Sequence, residues 1–164
     1  MIIRPLSVLQ REEIRRFYIA LSAEDRRMRF CCSLSDTAVS RYVDSLNFTR
    51  GTIVGAFDEV AQLIGLGELA GGPEECEMAF SVRPDMRGQR IGTRLLVRLI
   101  IRACVSGVRK VFVVFLAENT PMRKMANRAG MLVQSRDGEA YASKQLASTD
   151  VKDLAHWFVA EELS

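Results

Sequence analysis

The chain has 164 residues, 48% of them hydrophobic and 26% charged. That is enough for one domain with a real core and no need of a metal or disulfide staple. Lys and Arg number 23 against 20 Asp and Glu, a formal net charge of +3, and the sign alternates along most of the chain. This excludes a polybasic nucleic-acid arm and predicts no nucleic-acid partner.

Met1–Pro5 reads as a short first strand stopped by proline. Ile14, Phe17, Tyr18 and Leu21 recur at helical spacing and predict a helix over Arg11–Leu21. Ser22 is a good N-cap for a second helix, with Glu24 and Asp25 in its first turn. Ser35-Asp36 opens a third, with Val39, Tyr42, Val43 and Leu46 on one side. These helices either cover the core or wall a site; the sequence supports both readings. Thr52–Phe57, Gln62–Ala70 and Glu75–Val82 are three β-rich runs separated by turn residues, and predict an antiparallel meander.

Residues 82–93 then form a basic turn with two glycines, followed by a helical pattern that Gly107 ends. Lys110–Leu116 is nearly continuous apolar sequence, as expected of a strand buried on both faces. Strand, helix and strand over 77–116 make a βαβ unit with a right-handed crossover. Thr120 before Pro121 predicts the next helix start, which leaves the Asn119 side chain free for a ligand; Gly130 is its stop. Met131–Ser135 and Glu139–Lys144 predict a hairpin about Asp137-Gly138. Residues 150–163 predict a terminal helical extension of the same 1–164 domain. Trp157 and Phe158 are expected to dock on that domain, with a homodimer contact as the alternative.

Cys31, Cys32, Cys76 and Cys104 form no C-x-x-C pair, and His156 is the only histidine. A reducing, cytoplasmic setting follows, without a zinc site or a Ser-His-Asp triad. No metal is expected. No secretory pattern opens the chain and no apolar run is long enough to span a bilayer, so no membrane partner is expected.

The turn at 82–93 suits anion capture. A helix start offers about four unpaired N–H groups and partial positive charge, and glycine lets backbone approach a phosphate. Gly88 and Gly92 lack the lysine of a P-loop and the G-x-G-x-x-G of a dinucleotide fold. Arg87-Gly88-Gln89-Arg90-Ile91-Gly92 instead resembles the pyrophosphate loop, [QR]-x-x-G-x-[GA], of the GCN5-related N-acetyltransferases (GNATs). The stretch from Asn119 to Met131 resembles that family's second signature, an Asn-led helix ending in Gly plus an apolar residue. Leu21–Phe30 followed by Leu34-Ser35-Asp36 is similar to the acetyltransferase domain of bacterial protein-lysine acetyltransferases.

The resemblance implies an α/β GNAT fold: a mixed, mostly antiparallel sheet of six to seven strands, a central βαβ unit, and helices on both faces. It implies an N-acetyltransferase that moves an acetyl group from acetyl-CoA directly to a primary amine, on a protein lysine or a small molecule. The backbone of Arg87, Gly88, Gln89, Arg90, Ile91, Gly92 and Thr93 would hold the pyrophosphate. Phe80, Ser81 and Val82 would pair with the pantetheine arm, and an N–H near Phe80 would polarise the thioester carbonyl. Asn119 would bond the pantetheine or order its loop. Glu77 is the first candidate base for the acceptor amine and Glu68 the second.

Two positions depart from the family pattern. Arg90 stands where glycine is usual: either the site needs φ > 0 and arginine is strained, or it does not and Arg90 adds a phosphate donor. The second is the expectation. Ala126 stands where many members carry a tyrosine that protonates the departing thiolate. A second class of function, an acyl-CoA-binding sensor with little catalysis, follows from that loss. Arg90, Arg94, Arg98 and Arg102 at i, i+4 spacing read as a solvated helix face.

Overall fold

The structure, a computed structural model, describes residues 1–49 and 52–147 and, beyond them, only Lys152, Asp153 and His156. But for those three, the helix predicted over 150–163, with Trp157 and Phe158, lies outside the described residues.

Seven strands form one sheet: β1 (Ile2–Pro5), β2 (Ile53–Phe57), β3 (Leu63–Gly71), β4 (Glu75–Val82), β5 (Lys110–Leu116), β6 (Leu132–Arg136) and β7 (Glu139–Gln145). Their order is β1-β2-β3-β4-β5-β7-β6. Each neighbouring pair is antiparallel except β4 and β5, the parallel arms of the βαβ unit. The helices are α1 (Arg11–Ile19), α2 (Ala23–Phe30), α3 (Asp36–Ser45), α4 (Ile91–Val105) and α5 (Thr120–Arg128). The sheet is mixed and mostly antiparallel, as the sequence predicts.

Two apolar cores lie on opposite faces of the sheet. On one, α4 buries Ile91, Leu95, Leu96, Leu99, Ile100 and Ala103, and α5 adds Met122 and Ala126. On the other, α1 and α3 bury Ile14, Phe17, Tyr18, Val39 and Val43 against Ile53 and Leu66. Covered on both sides, β3 is buried from Leu63 to Leu69, and its one charged member is Glu68. Gly65 and Gly67 let α4 lie close. A Cβ on Gly65 would come within 2.9 Å of Ile91 Cγ2, tighter than real contacts, and one on Gly67 within 3.3 Å of Leu99 Cδ1.

The expectation of a β5 buried on both faces is corrected. Val111, Val113 and Phe115 are buried, but Lys110, Phe112, Val114 and Leu116 on the other face are only half covered. The reason is that α1 and α3 pack on each other and on the β2–β3 half of that face. The helix that reaches β4 and β5 there is α2, which has no fully buried residue of its own.

Candidate active site

The parallel pairing of β4 and β5 is short. It covers Glu75↔Lys110, Cys76↔Val111 and Glu77↔Phe112. Beyond Glu77, β4 continues to Val82 against β3, and β5 to Leu116 against β7. The two strands therefore part and leave a cleft in the sheet. The Arg83 N–H donates to the Ile64 carbonyl at 2.9 Å across to β3. Alternation along the strand then turns Ala79 and Ser81 backbone groups to β3, and the N–H groups of Phe80 and Val82 to the cleft. The Ser81 hydroxyl is buried and has no hydrogen-bond partner among the described residues.

The cleft leads from β4 into the basic turn. Arg83 holds Asp85 through two hydrogen bonds of 2.7 Å and shapes a single 3-10 turn over Pro84–Met86. Gly88 sits at φ +79, where an L side chain is strained. The helix α4 starts at Ile91, two residues before the apolar pattern that marks it in sequence, and among the described residues no side chain caps it. Its first intrahelical bond of this end runs from the Arg94 N–H to the Arg90 carbonyl at 3.0 Å. No acidic residue stands in the first turn. Gly92 has no conformational reason to be glycine: its φ is not positive, and a Cβ would meet Met125 Sδ at an ordinary 3.4 Å. Glycine costs a helix about 1 kcal/mol relative to alanine. What Gly92 provides is a helix start without a side chain of its own, packed beside Met125 and Val82.

Arg90 corrects a second expectation. It lies at φ 59, ψ 15, so the position does need the left-handed region, and arginine there is strained. Arg90→Gly is expected to be about 1 kcal/mol more stable than Arg90→Ala, which loses the same side chain, or about 2–4 °C in Tm for a domain of this size. Thermal melts of the two variants check this, and an equal or lower Tm for Arg90→Gly counts against the strain.

The two candidate carboxylates occupy different surroundings. Glu68↔Ala79 and Ala70↔Glu77 pair across β3 and β4, so all four side chains share the face under α1–α3. Glu68 is buried and saturated. Tyr18 of α1 and Tyr42 of α3 each donate a short hydrogen bond to it, one to each carboxylate oxygen, and Arg29 of α2 lies 3.2 Å away. One carboxylate thus ties three helices to β3. Burial pushes both tyrosine hydroxyls to higher pKa, so they stay protonated donors. Glu77 is exposed and sits on the last paired rung, where the cleft begins. Cys31, at the left-handed end of α2, lies near it. Burial pushes the Cys31 thiol up, and the carboxylates of Glu139 and Glu77 add to the shift.

Asn119 differs from its expected place. It, not Thr120, caps α5: its Oδ1 accepts from the Met122 N–H at 3.2 Å. The side chain is not free, and only its amide N–H₂ remains for a ligand. Pro121 still falls within the first turn, which is why the sequence misplaced the cap by only one residue. Ala126, on the core face of α5, is fully buried. Of the three tyrosines, Tyr18 and Tyr42 both donate to Glu68, and the Tyr141 ring stacks on Phe112 at 5.3 Å with Lys110 Nζ 5.8 Å from its centroid.

Sequence reasoning missed the ties of α2 to the loops. Asp25 accepts from Arg87 at 2.5 Å, and Arg27 pairs with Glu118, beside Asn119. The Ser22 hydroxyl donates to Asp25 at 2.8 Å while accepting from its N–H. Burial opposes ionisation of Asp25, but the Arg87 and Ser22 hydrogen bonds outweigh it and hold the carboxyl below its ordinary range. In sequence, Asp25 offered only the signal of an acidic first turn.

A cleft between parallel strands that opens on a glycine-bearing helix start can take an extended chain that ends in an anionic group. The model of the acetyltransferase (GNAT) family matches residues 10–131, and the chain belongs to that family. Among solved structures, it is similar to the GNAT domain of S. lividans PAT, with 24% identity, TM-score 0.73, and 88% of this chain and 89% of that one covered. It is also similar to a Sinorhizobium meliloti phosphinothricin acetyltransferase in complex with AcCoA, with 18% identity, TM-score 0.68, and coverage of 89% and 88%. A third is the paia N-acetyltransferase of Thermoplasma acidophilum in complex with coenzyme A, with 16% identity, TM-score 0.65, and coverage of 88% and 98%. These likenesses agree on the fold.

Proposed function

We propose that this acetyltransferase moves the acetyl group of acetyl-CoA directly to a primary amine, carried by a protein lysine or a small molecule. The observation that carries the reading is the continuity of the cleft. The backbone of Phe80-Ser81-Val82 that faces it runs straight into Arg87–Thr93 and the bare N–H groups of α4. A pantetheine arm would pair with Phe80 and Val82 as an added strand, and its pyrophosphate would meet Gly88, Gln89, Ile91, Gly92 and Thr93 with Arg87 and Arg90 beside them.

The bound ammonium first gives a proton to Glu77, directly or through water, and the neutral nitrogen attacks the thioester carbonyl carbon. The developing oxyanion is held by the Phe80 N–H, the C–S bond breaks with coenzyme A leaving as its thiolate, and the second nitrogen proton passes to water or to that thiolate. Glu77 suits this role better than Glu68, because it is exposed at the cleft while the Glu68 oxygens are occupied. We assign Glu68 to holding the helices, and Asn119 to ordering the β5–α5 loop. Glu77 and Glu139 give the site a negative field that favours a cationic amine. A thiol with pKa ~8.5 leaves largely as thiolate, so the site works without the hydroxyl that Ala126 lacks.

The buried Ala126 also favours a second reading, an acyl-CoA-binding sensor with little catalysis. Thiol release from acetyl-CoA with amines, polyamines and lysine peptides separates the two; tight binding without turnover on any acceptor favours the sensor. Glu77→Gln is expected to lower turnover about 10²–10⁴-fold, the range of general base catalysis. Its affinity for coenzyme A should stay unchanged, and equal turnover removes Glu77 from the mechanism.

A further inference from the structure

We infer that Asp25 is a positioning residue for the coenzyme: it holds the Arg87 guanidinium by one edge so that the rest of the fork faces the pyrophosphate. This rests on the reading of Arg87–Thr93 as a pyrophosphate site.

Asp25 is set to hold rather than to compete. Its side chain is only 14% exposed, against 53% for Arg87. One carboxylate oxygen takes the Ser22 hydroxyl and the other takes Arg87 Nη2. If Arg87 swung away to a phosphate, a carboxylate only 14% exposed would lose the one cation paired with it among the described residues, which is costly. Arg87 therefore keeps Nη2 on Asp25. Nη1 and Nε, which have no partner among the described residues, remain for phosphate oxygens. A guanidinium can serve two anions at once because its donors lie in a fixed plane; an ammonium has no such fork.

The same contact ties coenzyme to acceptor side. Asp25 lies on α2, whose Arg27 reaches Glu118 on the far side of the cleft and whose Arg29 reaches Glu68. The helix is thus strapped over the cleft by ion pairs to both flanking loops. A coenzyme that fixes Arg87 fixes that strap.

Calorimetry with coenzyme A tests this on the unchanged chain, Asp25→Asn, Arg87→Ala and the double variant. Asparagine keeps hydrogen bonding to Ser22 and loses the charge. Asp25→Asn is expected to weaken coenzyme A about tenfold, within the range of coupled neighbours, and to add nothing once Arg87 is alanine. A purely structural role for Asp25 would weaken both backgrounds alike, and that result overturns the inference. So does equal or tighter binding by Asp25→Asn, the mark of competition for Arg87. Arg87→Lys guards against misfolding of the Asp25 variants: it is expected to lose nearly as much affinity as Arg87→Ala, and full affinity overturns the shared fork. No binding of coenzyme A by the unchanged chain overturns the pyrophosphate reading, and this inference with it.

Discussion

Glu68→Ala is expected to destabilise the chain by about 3–5 kcal/mol, the cost of leaving a buried charge without its partner. Glu68 is 7% exposed and Arg29 9%, so little solvent is at hand to replace the lost carboxylate. The substitution also strands the Tyr18 and Tyr42 hydroxyls, each a further buried donor. Urea unfolding of the two proteins measures the difference. A loss under about 1 kcal/mol would mean that water or a rotated Arg29 satisfies the cluster. The double variant Glu68→Leu, Arg29→Met should cost less than Glu68→Ala alone, because it removes both charges and fills their volume. The same substitution separates the two candidate carboxylates: Glu68 should act on stability and Glu77 on turnover.

Gly92→Glu is expected to abolish coenzyme A binding. The substitution puts a carboxylate at the start of α4, where no side chain of residue 92 now stands beside the first N–H groups of the helix. At about 4 Å, two like charges repel by roughly 4 kcal/mol at a surface-like dielectric, or close to a thousandfold in affinity. The fold should tolerate the change, because a Cβ there meets only ordinary contacts and an acidic residue suits a helix N-terminus. Loss of binding with an unchanged melt is therefore the expected pair of results. Retained affinity would sink the assignment of Arg87–Thr93 to the pyrophosphate.

How far the sequence carries depends on the range of each interaction. The strands, caps and turns were legible because their causes are local. Ser22 and Ser35 cap as their types predict, and Asp137-Gly138 turns the last hairpin with both residues at positive φ. The loop motif was legible for the same reason. The conformation of Arg90 is not legible, because a residue type that avoids the left-handed region occupies it. The Asn119 cap is hidden because Thr120 directly before Pro121 fits the usual Pro-at-N1 pattern, whereas asparagine, the stronger cap type, takes the cap and Pro121 falls one position further in. The Glu68 cluster could not be read at all. Tyr18, Arg29, Tyr42 and Glu68 come from four elements and meet only when the helices dock. The ties of α2 are of the same kind: Asp25 and Arg87 are 62 positions apart.

The absent side chains of Gly65 and Gly67 act as a spacer gauge. They set how low α4 rides on the sheet, and Gly65 sets it beneath Ile91, the first residue of that helix. A methyl group added at Gly65 would tilt the helix start outward like a shim under one end of a beam. The anion site would lose its aim without losing a single residue of its own. Substitutions at this buried, ligand-remote position should thus present as coenzyme defects in a folded protein, and a screen confined to the loop would never find them.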